Sequence, residues 1–209
     1  MYLSLLTLNS RSKRALTESS RPYELHRSLL KAFPDAADGG PGRVLFRLDV
    51  NEQTGSISTL IQSEKKPLWT RINGYASFVT ECKCKEFKPA LSLDQIFRFR
   101  LRANPTKRMK STGKREGILN TTEQVEWLRK KGMNNGFEII DVIALDEGFV
   151  KDKLTDTDNT GHNTNMFSVR FDGLLKVTDV DVFYSTLRSG IGSAKGFGFG
   201  LLSIAPIKE

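Results

Sequence analysis

The stretch Gln95-Ile-Phe-Arg-Phe-Arg-Leu-Arg102 sets the frame for the whole chain. Phe97, Phe99 and Leu101 alternate strictly with Arg98, Arg100 and Arg102, the period of two that marks a β-strand with one face inward and one in water. Downstream, Thr121 starts a helix carrying Glu123, Glu126, Trp127 and Leu128. Its end, Arg129-Lys130-Lys131, suits the helix dipole, and Gly132 is placed to cap it. Residues 137–145 and 166–177 read as strands, separated by a polar stretch, 146–165, expected to be a mobile loop. Thr178 caps a helix over 179–189, and 201–204 closes as a strand. Strand, helix, two strands, helix, strand is βαββαβ, the ferredoxin-like unit.

The first half approximates the same order. Tyr2, Ser4, Leu6 and Leu8 alternate with Leu3, Leu5 and Thr7 in a buried first strand. Ser20 and Pro22 open a helix with Leu25, Leu29, Leu30 and Phe33 at helical spacing, and Pro34-Asp35 ends it. Residues 43–50 and 56–62 form a hairpin about a turn at 51–55. Residues 67–73 are expected to form a short second helix, 75–87 the fourth strand, and 89–93 a linker. At 209 residues the chain accommodates two such domains. The expected fold is α+β, two tandem ferredoxin-like (βαββαβ) domains: 1–88, carrying the helix with His26, and 94–209, carrying the basic and glycine-rich segments.

Charge narrows the function. Lys and Arg number 32 against 24 Asp and Glu, a net charge of +8. Residues 95–115 contain Arg98, Arg100, Arg102, Lys107, Arg108, Lys110, Lys114 and Arg115 and no acid, so these eight cations equal the whole excess. A clustered excess creates a local positive field and points to a polyanionic partner. Alternation puts the three arginines in one row on an exposed sheet face, where each planar fork can grip phosphate. Pairing with acids of a neighbouring strand is the competing reading. Residues 105–117 read as a flexible basic loop able to follow a nucleic-acid groove.

Five glycines fall within Gly190-Ile-Gly-Ser-Ala-Lys-Gly-Phe-Gly-Phe-Gly200. The order helix, glycine loop, strand excludes a dinucleotide fingerprint, and Gly196 after Lys195 excludes a nucleotide phosphate loop. Glycine lets backbone N–H groups approach phosphate, and Lys195 adds charge. The alternative is a tight turn with Phe197 and Phe199 packed inward. Tyr23 and His26, three residues apart, share a helix face, so phenol and imidazole can converge on one atom. Histidine can give or take a proton in one turnover.

Other classes recede. Cys82 and Cys84, the only cysteines, share a strand face where geometry opposes a bridge. With His26 and His162 they are too few for a structural zinc site. No stretch has the length to span a bilayer, and the N-terminus has no basic residue before its apolar run, so a cytoplasmic protein without membrane partners is expected.

Several segments together resemble the CasE family, the CRISPR repeat-cleaving endoribonucleases of the RAMP superfamily from the type I-E system. They are Met1-Tyr-Leu-Ser, Tyr23-x-Leu25-His26, Phe99-Arg-Leu-Arg-Ala-Asn-Pro105, and Gly190-Ile-Gly-x-Ala-Lys-x-x-Gly-x-Gly-Leu-Leu-Ser203 followed by Ala205-Pro206. The matches keep their order and reach both ends of the chain. The resemblance implies cleavage of CRISPR precursor RNA at the base of each repeat hairpin, without metal or other cofactor. It also implies retention of the guide RNA as a subunit of the Cascade complex. His26 matches the catalytic histidine, Tyr23 its neighbouring tyrosine, and Lys114 is similar to a third active-site group. RNA contacts are expected at Arg27, Arg98, Arg100, Arg102, Lys107, Arg108, Lys110, Arg115, Gly190, Gly192, Lys195, Gly196 and Gly198. Which of His26 and Tyr23 is acid and which is base stays open. A non-catalytic RNA-binding module and a double-stranded DNA binder are the rivals, the latter opposed by the absence of clustered cations on any helix.

Overall fold

Strand β1 (Tyr2–Leu8) turns Ser4, Leu6 and Leu8 inward while Leu5 stays at the surface, as its alternation predicts. The structure is a computed structural model describing residues 1–109, 113–154 and 162–207, backbone only at 153, 154, 162 and 163. After β1 comes a helix not expected from the sequence, α1 (Lys13–Ser19), opened by Ser12, whose hydroxyl accepts from the Ala15 N–H at 3.4 Å. Ser20 closes α1 through its N–H to Leu16 at 3.3 Å, so it does not cap the next helix. Helix α2 (Pro22–Leu30) starts directly on Pro22, whose missing N–H costs nothing in a first turn. Leu25 and Leu29 are fully buried; the helix stops at Leu30, and Phe33 enters the core from the turn beyond.

Strands β2 (Val44–Val50) and β3 (Ile57–Ser63) form the expected hairpin, pinned at its turn by Asn51, whose Oδ1 accepts the N–H groups of Gln53 and Thr54 at 3.0 Å. The second helix shrinks to a 3-10 turn, Trp69–Arg71, and one turn of α3 (Tyr75–Phe78), so β4 (Val79–Glu86) begins four residues later than expected. Gly74 is the cause: its left-handed φ of 63° breaks the chain, and its carbonyl then accepts from Ser77 and Phe78 at 3.0 and 3.1 Å. The antiparallel sheet runs β2-β3-β1-β4, the ferredoxin-like order. Its core joins Leu6, Leu25, Leu29, Phe46, Ile61 and Phe78, each side chain worth roughly 1.5–3 kcal/mol of burial. The indole N–H of Trp69 donates to buried Ser4 at 3.2 Å, satisfying the one hydroxyl on the inner face of β1.

The second sheet runs β10-β5-β9-β8, the same order. Its strands are β5 (Ile96–Ala103), β8 (Phe137–Leu154), β9 (His162–Val177) and β10 (Leu202–Pro206). Between β5 and helix α4 (Thr121–Met133) lies a small hairpin, β6 (Thr106–Arg108) and β7 (Arg115–Gly117). This corrects the flexible loop expected over 105–117, except for 110–112, which lie outside the described residues: Thr106 pairs with Gly117, Lys107 with Glu116 and Arg108 with Arg115. The polar stretch 146–165 is corrected likewise, except for 155–161, which lie outside the described residues. The β8–β9 ladder runs from Phe137 opposite Val177 to Leu154 opposite His162, with a bulge between Asp146 and Gly148. Backbone pairing is indifferent to side-chain polarity, and within 146–152 and 164–165 only Asp152 is buried, so no apolar alternation marks these strands.

Two caps also move. Asn134 closes α4, while Gly132 lies inside it, where a Cβ would sit 2.7 Å from the Phe137 carbonyl. Asp179, not Thr178, caps α5 (Val180–Ser189), its carboxylate accepting from the Val182 N–H at 3.0 Å. Phe97, Phe99 and Leu101 face the core with Phe171, Phe183 and Leu187, as the alternation predicts. The chain divides into two compact units, Met1–Pro89 with Lys195–Gly198, and Ala90–Ala194 with Phe199–Glu209. Among the described residues no helix is long and apolar enough to cross a membrane.

Candidate functional site

In the first unit α2 directs Leu25 and Leu29 into the core, which leaves Tyr23 and His26 together on a flank of the helix, both half-buried. The His26 imidazole stacks on the fully buried Phe46 ring of β2, centroids 5.6 Å apart and planes 10° apart. Tyr23 stacks on Phe197 at 5.5 Å and 28°. Phe197 belongs to a 3-10 turn, Lys195–Phe197, that lies against α2 and β2. A Cβ on Gly196 would stand 3.4 Å from His26 Nδ1, and one on Gly198 would stand 3.2 Å from the Phe46 ring. Gly198 also needs a left-handed φ of 82°, so these glycines let the turn lie against the two rings.

Burial lowers the His26 pKa below its ordinary 6.5, with no charged neighbour contributing. The imidazole is therefore neutral near pH 7, with a ring nitrogen able to accept a proton. Arg27, one residue on, points to solvent and pairs with Glu24 at 3.2 Å.

The second unit holds the arginine row, graded in exposure along β5. Arg98 is exposed and, among the described residues, forms no salt bridge. Arg100 makes a two-pronged pair with Asp172 of β9. Arg102 has only 16% of its side chain exposed; it meets Glu147 at 2.6 Å and Ser168 at 2.9 Å and lies over the Phe199 ring at 5.5 Å. The row is thus part open surface and part paired to acids of neighbouring strands. On the β6–β7 hairpin Arg108 stands opposite Arg115, a repulsive juxtaposition. Lys107 pairs with Glu123 at 2.6 Å, and Lys114 is exposed at the turn. Lys110 lies outside the described residues.

Gly190 and Gly192 have backbone and packing duties. Gly190 closes α5 with φ 73° and an N–H to Thr186 at 2.8 Å, and a Cβ on Gly192 would meet the Trp127 ring at 3.4 Å. Phe199 packs inward, fully buried, whereas Phe197 serves Tyr23. Among the described residues no three His, Cys, Asp or Glu side chains converge as metal ligands.

A family model described as CRISPR associated protein matches residues 1–206. The chain belongs to that family. It is 36% identical over 214 residues to the CRISPR-associated endoribonuclease Cse3 of Thermus thermophilus, covering 99% of this chain and 100% of that one. It is 29% identical over 218 residues to the CRISPR system Cascade subunit CasE of Escherichia coli, with the same coverages. A solved structure of CRISPR endoribonuclease Cse3 bound to a 19-nucleotide RNA superimposes with a TM-score of 0.88 at 35% identity, covering 99% of this chain and 100% of that one. This family member therefore shares the CasE and Cse3 fold from end to end, two ferredoxin-like units included. Phe46 carried no signal in the sequence: it reads as one more inward residue of a strand, and it meets His26 from another element and Gly198 from about 150 residues away only in the folded chain.

Proposed function

We propose that this chain is an endoribonuclease that cleaves CRISPR precursor RNA within its repeat hairpins and stays with the guide RNA as a Cascade subunit. The observation that carries the reading is the full-length relationship to the endoribonuclease Cse3, with Tyr23 and His26 paired on one helix flank. RNA brings its own nucleophile, the 2′-hydroxyl beside the scissile phosphate. Neutral His26 takes the proton from that hydroxyl, and the oxygen attacks phosphorus in line. The bond to the 5′-oxygen breaks, and that oxygen receives a proton for which Tyr23 is the donor. Lys114 and Lys195 are assigned to the charge that builds on the phosphate. Arg98, the exposed cations of the β6–β7 hairpin and Arg27 are assigned to the RNA backbone. The Arg108–Arg115 juxtaposition supports this, because a polyanion relieves it.

Products of this chemistry are a 2′,3′-cyclic phosphate and a free 5′-hydroxyl, formed without metal. The test is cleavage of a labelled type I-E repeat hairpin in excess EDTA, with end-group analysis and His26→Ala alongside. Activity should persist in EDTA, and a 2′-deoxy nucleotide before the cut should bind and survive. His26→Ala should keep hairpin affinity while cleavage falls roughly a hundredfold or more. Magnesium-dependent rescue, a 3′-hydroxyl product, or wild-type cleavage by His26→Ala refutes the mechanism. As His26 acts from its neutral form, the rate should fall as pH drops through its lowered pKa; a rate that rises on acidification refutes the base assignment.

A further inference from the structure

The aromatic stacking points to Phe46 as the positioning residue of His26, with the Lys195–Gly198 turn holding Phe46 in place and Phe197 serving Tyr23 in the same way. We infer that the glycine-rich segment thereby acts on cleavage through ring packing as well as through contact with RNA. The proposal rests on the reading of His26 as the proton-transfer group.

The geometry makes the case. A solvent-facing imidazole on a helix has several accessible rotamers, and only one side of the ring can face a substrate. Phe46 removes that freedom from below. It is fully buried, stands opposite Ile61 in the β2–β3 ladder, and lies near-parallel to the imidazole, 10° between planes. Offset stacking of this kind is an orienting contact as well as buried area. In the turn, a Cβ built on Gly196 would stand 3.4 Å from Nδ1, and one on Gly198 3.2 Å from the Phe46 ring. A side chain at Gly198 would press on the Phe46 ring and strain the backbone, while one at Gly196 would reach contact with the imidazole. Tyr23 sits on Phe197 in the same turn, at 5.5 Å. One four-residue turn therefore fixes both members of the proton-transfer pair, and a misplacement of about 1 Å at such a pair costs up to roughly a hundredfold in rate.

The same contact controls the imidazole's environment. Tyr23, Glu24 and Arg27 on α2 and Lys195 in the turn are the titratable neighbours, yet burial alone lowers the His26 pKa. Removing the ring beneath it should admit water and let the titration return toward 6.5.

The experiment compares Phe46→Leu and Phe46→Met with Ile61→Val, a smaller change in the same core that leaves the Phe46 ring present, and with Phe197→Leu. Three quantities are read for each: hairpin affinity, single-turnover cleavage rate, and the imidazole titration by NMR. The chain has only two histidines, so His162 serves as an internal reference. Phe46→Leu and Phe46→Met should slow cleavage about tenfold or more, change affinity less than about threefold, and move the His26 titration upward. Phe197→Leu should slow cleavage and leave the titration in place. Ile61→Val should move neither. An unmoved titration in both Phe46 variants, or an equal slowing by Ile61→Val, overturns the proposal. Normal cleavage by His26→Ala defeats the catalytic reading instead, a result separable from the titration, which is measured without RNA. Phe46→Met keeps the volume of the core and so stands if Phe46→Leu fails to fold.

Discussion

The three arginines of β5 look alike in sequence, and the structure assigns them unlike tasks that single substitutions can separate. Arg98 is exposed without a salt bridge among the described residues. Arg98→Ala should leave stability within about 0.5 kcal/mol of wild type. If its guanidinium contacts phosphate, the substitution should also reduce the log–log salt slope of RNA binding by about 0.7 to 0.9. Arg102 is the opposite case. Its pair with Glu147 at 2.6 Å and its bond to Ser168 at 2.9 Å sit in a site only 16% open to water. Hydrogen bonds to charged groups contribute about 1.5–3 kcal/mol. Glu147 keeps Ser168 at 2.8 Å and Arg170 at 3.8 Å after the change. The remaining carboxylate is not orphaned, so the loss stays below the roughly 3–5 kcal/mol typical of a stranded buried charge. Arg102→Ala should therefore cost about 2 kcal/mol with a near-unchanged salt slope. Urea denaturation and binding titrations from about 50 to 200 mM salt measure both quantities. A flattened slope in Arg102→Ala with wild-type stability, beside an unchanged slope in Arg98→Ala, refutes the division of labour.

Two further outcomes follow from the geometry. Burial lowers the His26 pKa, so below the ordinary 6.5 the unfolded chain binds a proton that the folded chain refuses. Stability is then lost as pH falls through the folded-state value. The wild-type minus His26→Ala difference in unfolding free energy should shrink on acidification, and a flat difference from about pH 7 to 5 counts against it. Gly132→Ala reverses the usual rule: in an open helix the change gains about 1 kcal/mol. Here the Cβ would meet the Phe137 carbonyl at 2.7 Å, and the variant should be less stable than wild type by urea denaturation.

Strand periodicity carried far because the inner faces are strongly apolar. The alternation at 97–102 gave β5 its two faces, and the leucine spacing after Pro22 gave α2 and the flank that holds Tyr23 and His26. What failed were segments whose order comes from the backbone. The β6–β7 hairpin and the polar 146–165 part of the β8–β9 ribbon carry no apolar alternation and look like loops to any pattern of hydrophobicity. Helix α1 buries only Ala15, leaving no stripe to detect. At the site, Tyr23-x-Leu25-His26 was legible as a helix motif, whereas Phe46 and the turn over it meet only through tertiary packing. Arginine alternation likewise predicted a face but could not show that Asp172 and Glu147 would engage it.

The turn that seats Phe46 and Phe197 belongs to the first compact unit although it lies near the end of the chain. Gly196 leaves the ribosome about 170 residues after His26, and at roughly 5–20 residues per second that interval is on the order of 10 to 30 s. During synthesis the nascent N-terminal unit thus carries its histidine on an open flank, with the turn that covers it still untranslated. Premature termination anywhere before Lys195 leaves a fragment with α2 and without the turn that packs on it, so the surroundings of His26 are complete only once Gly198 has been made.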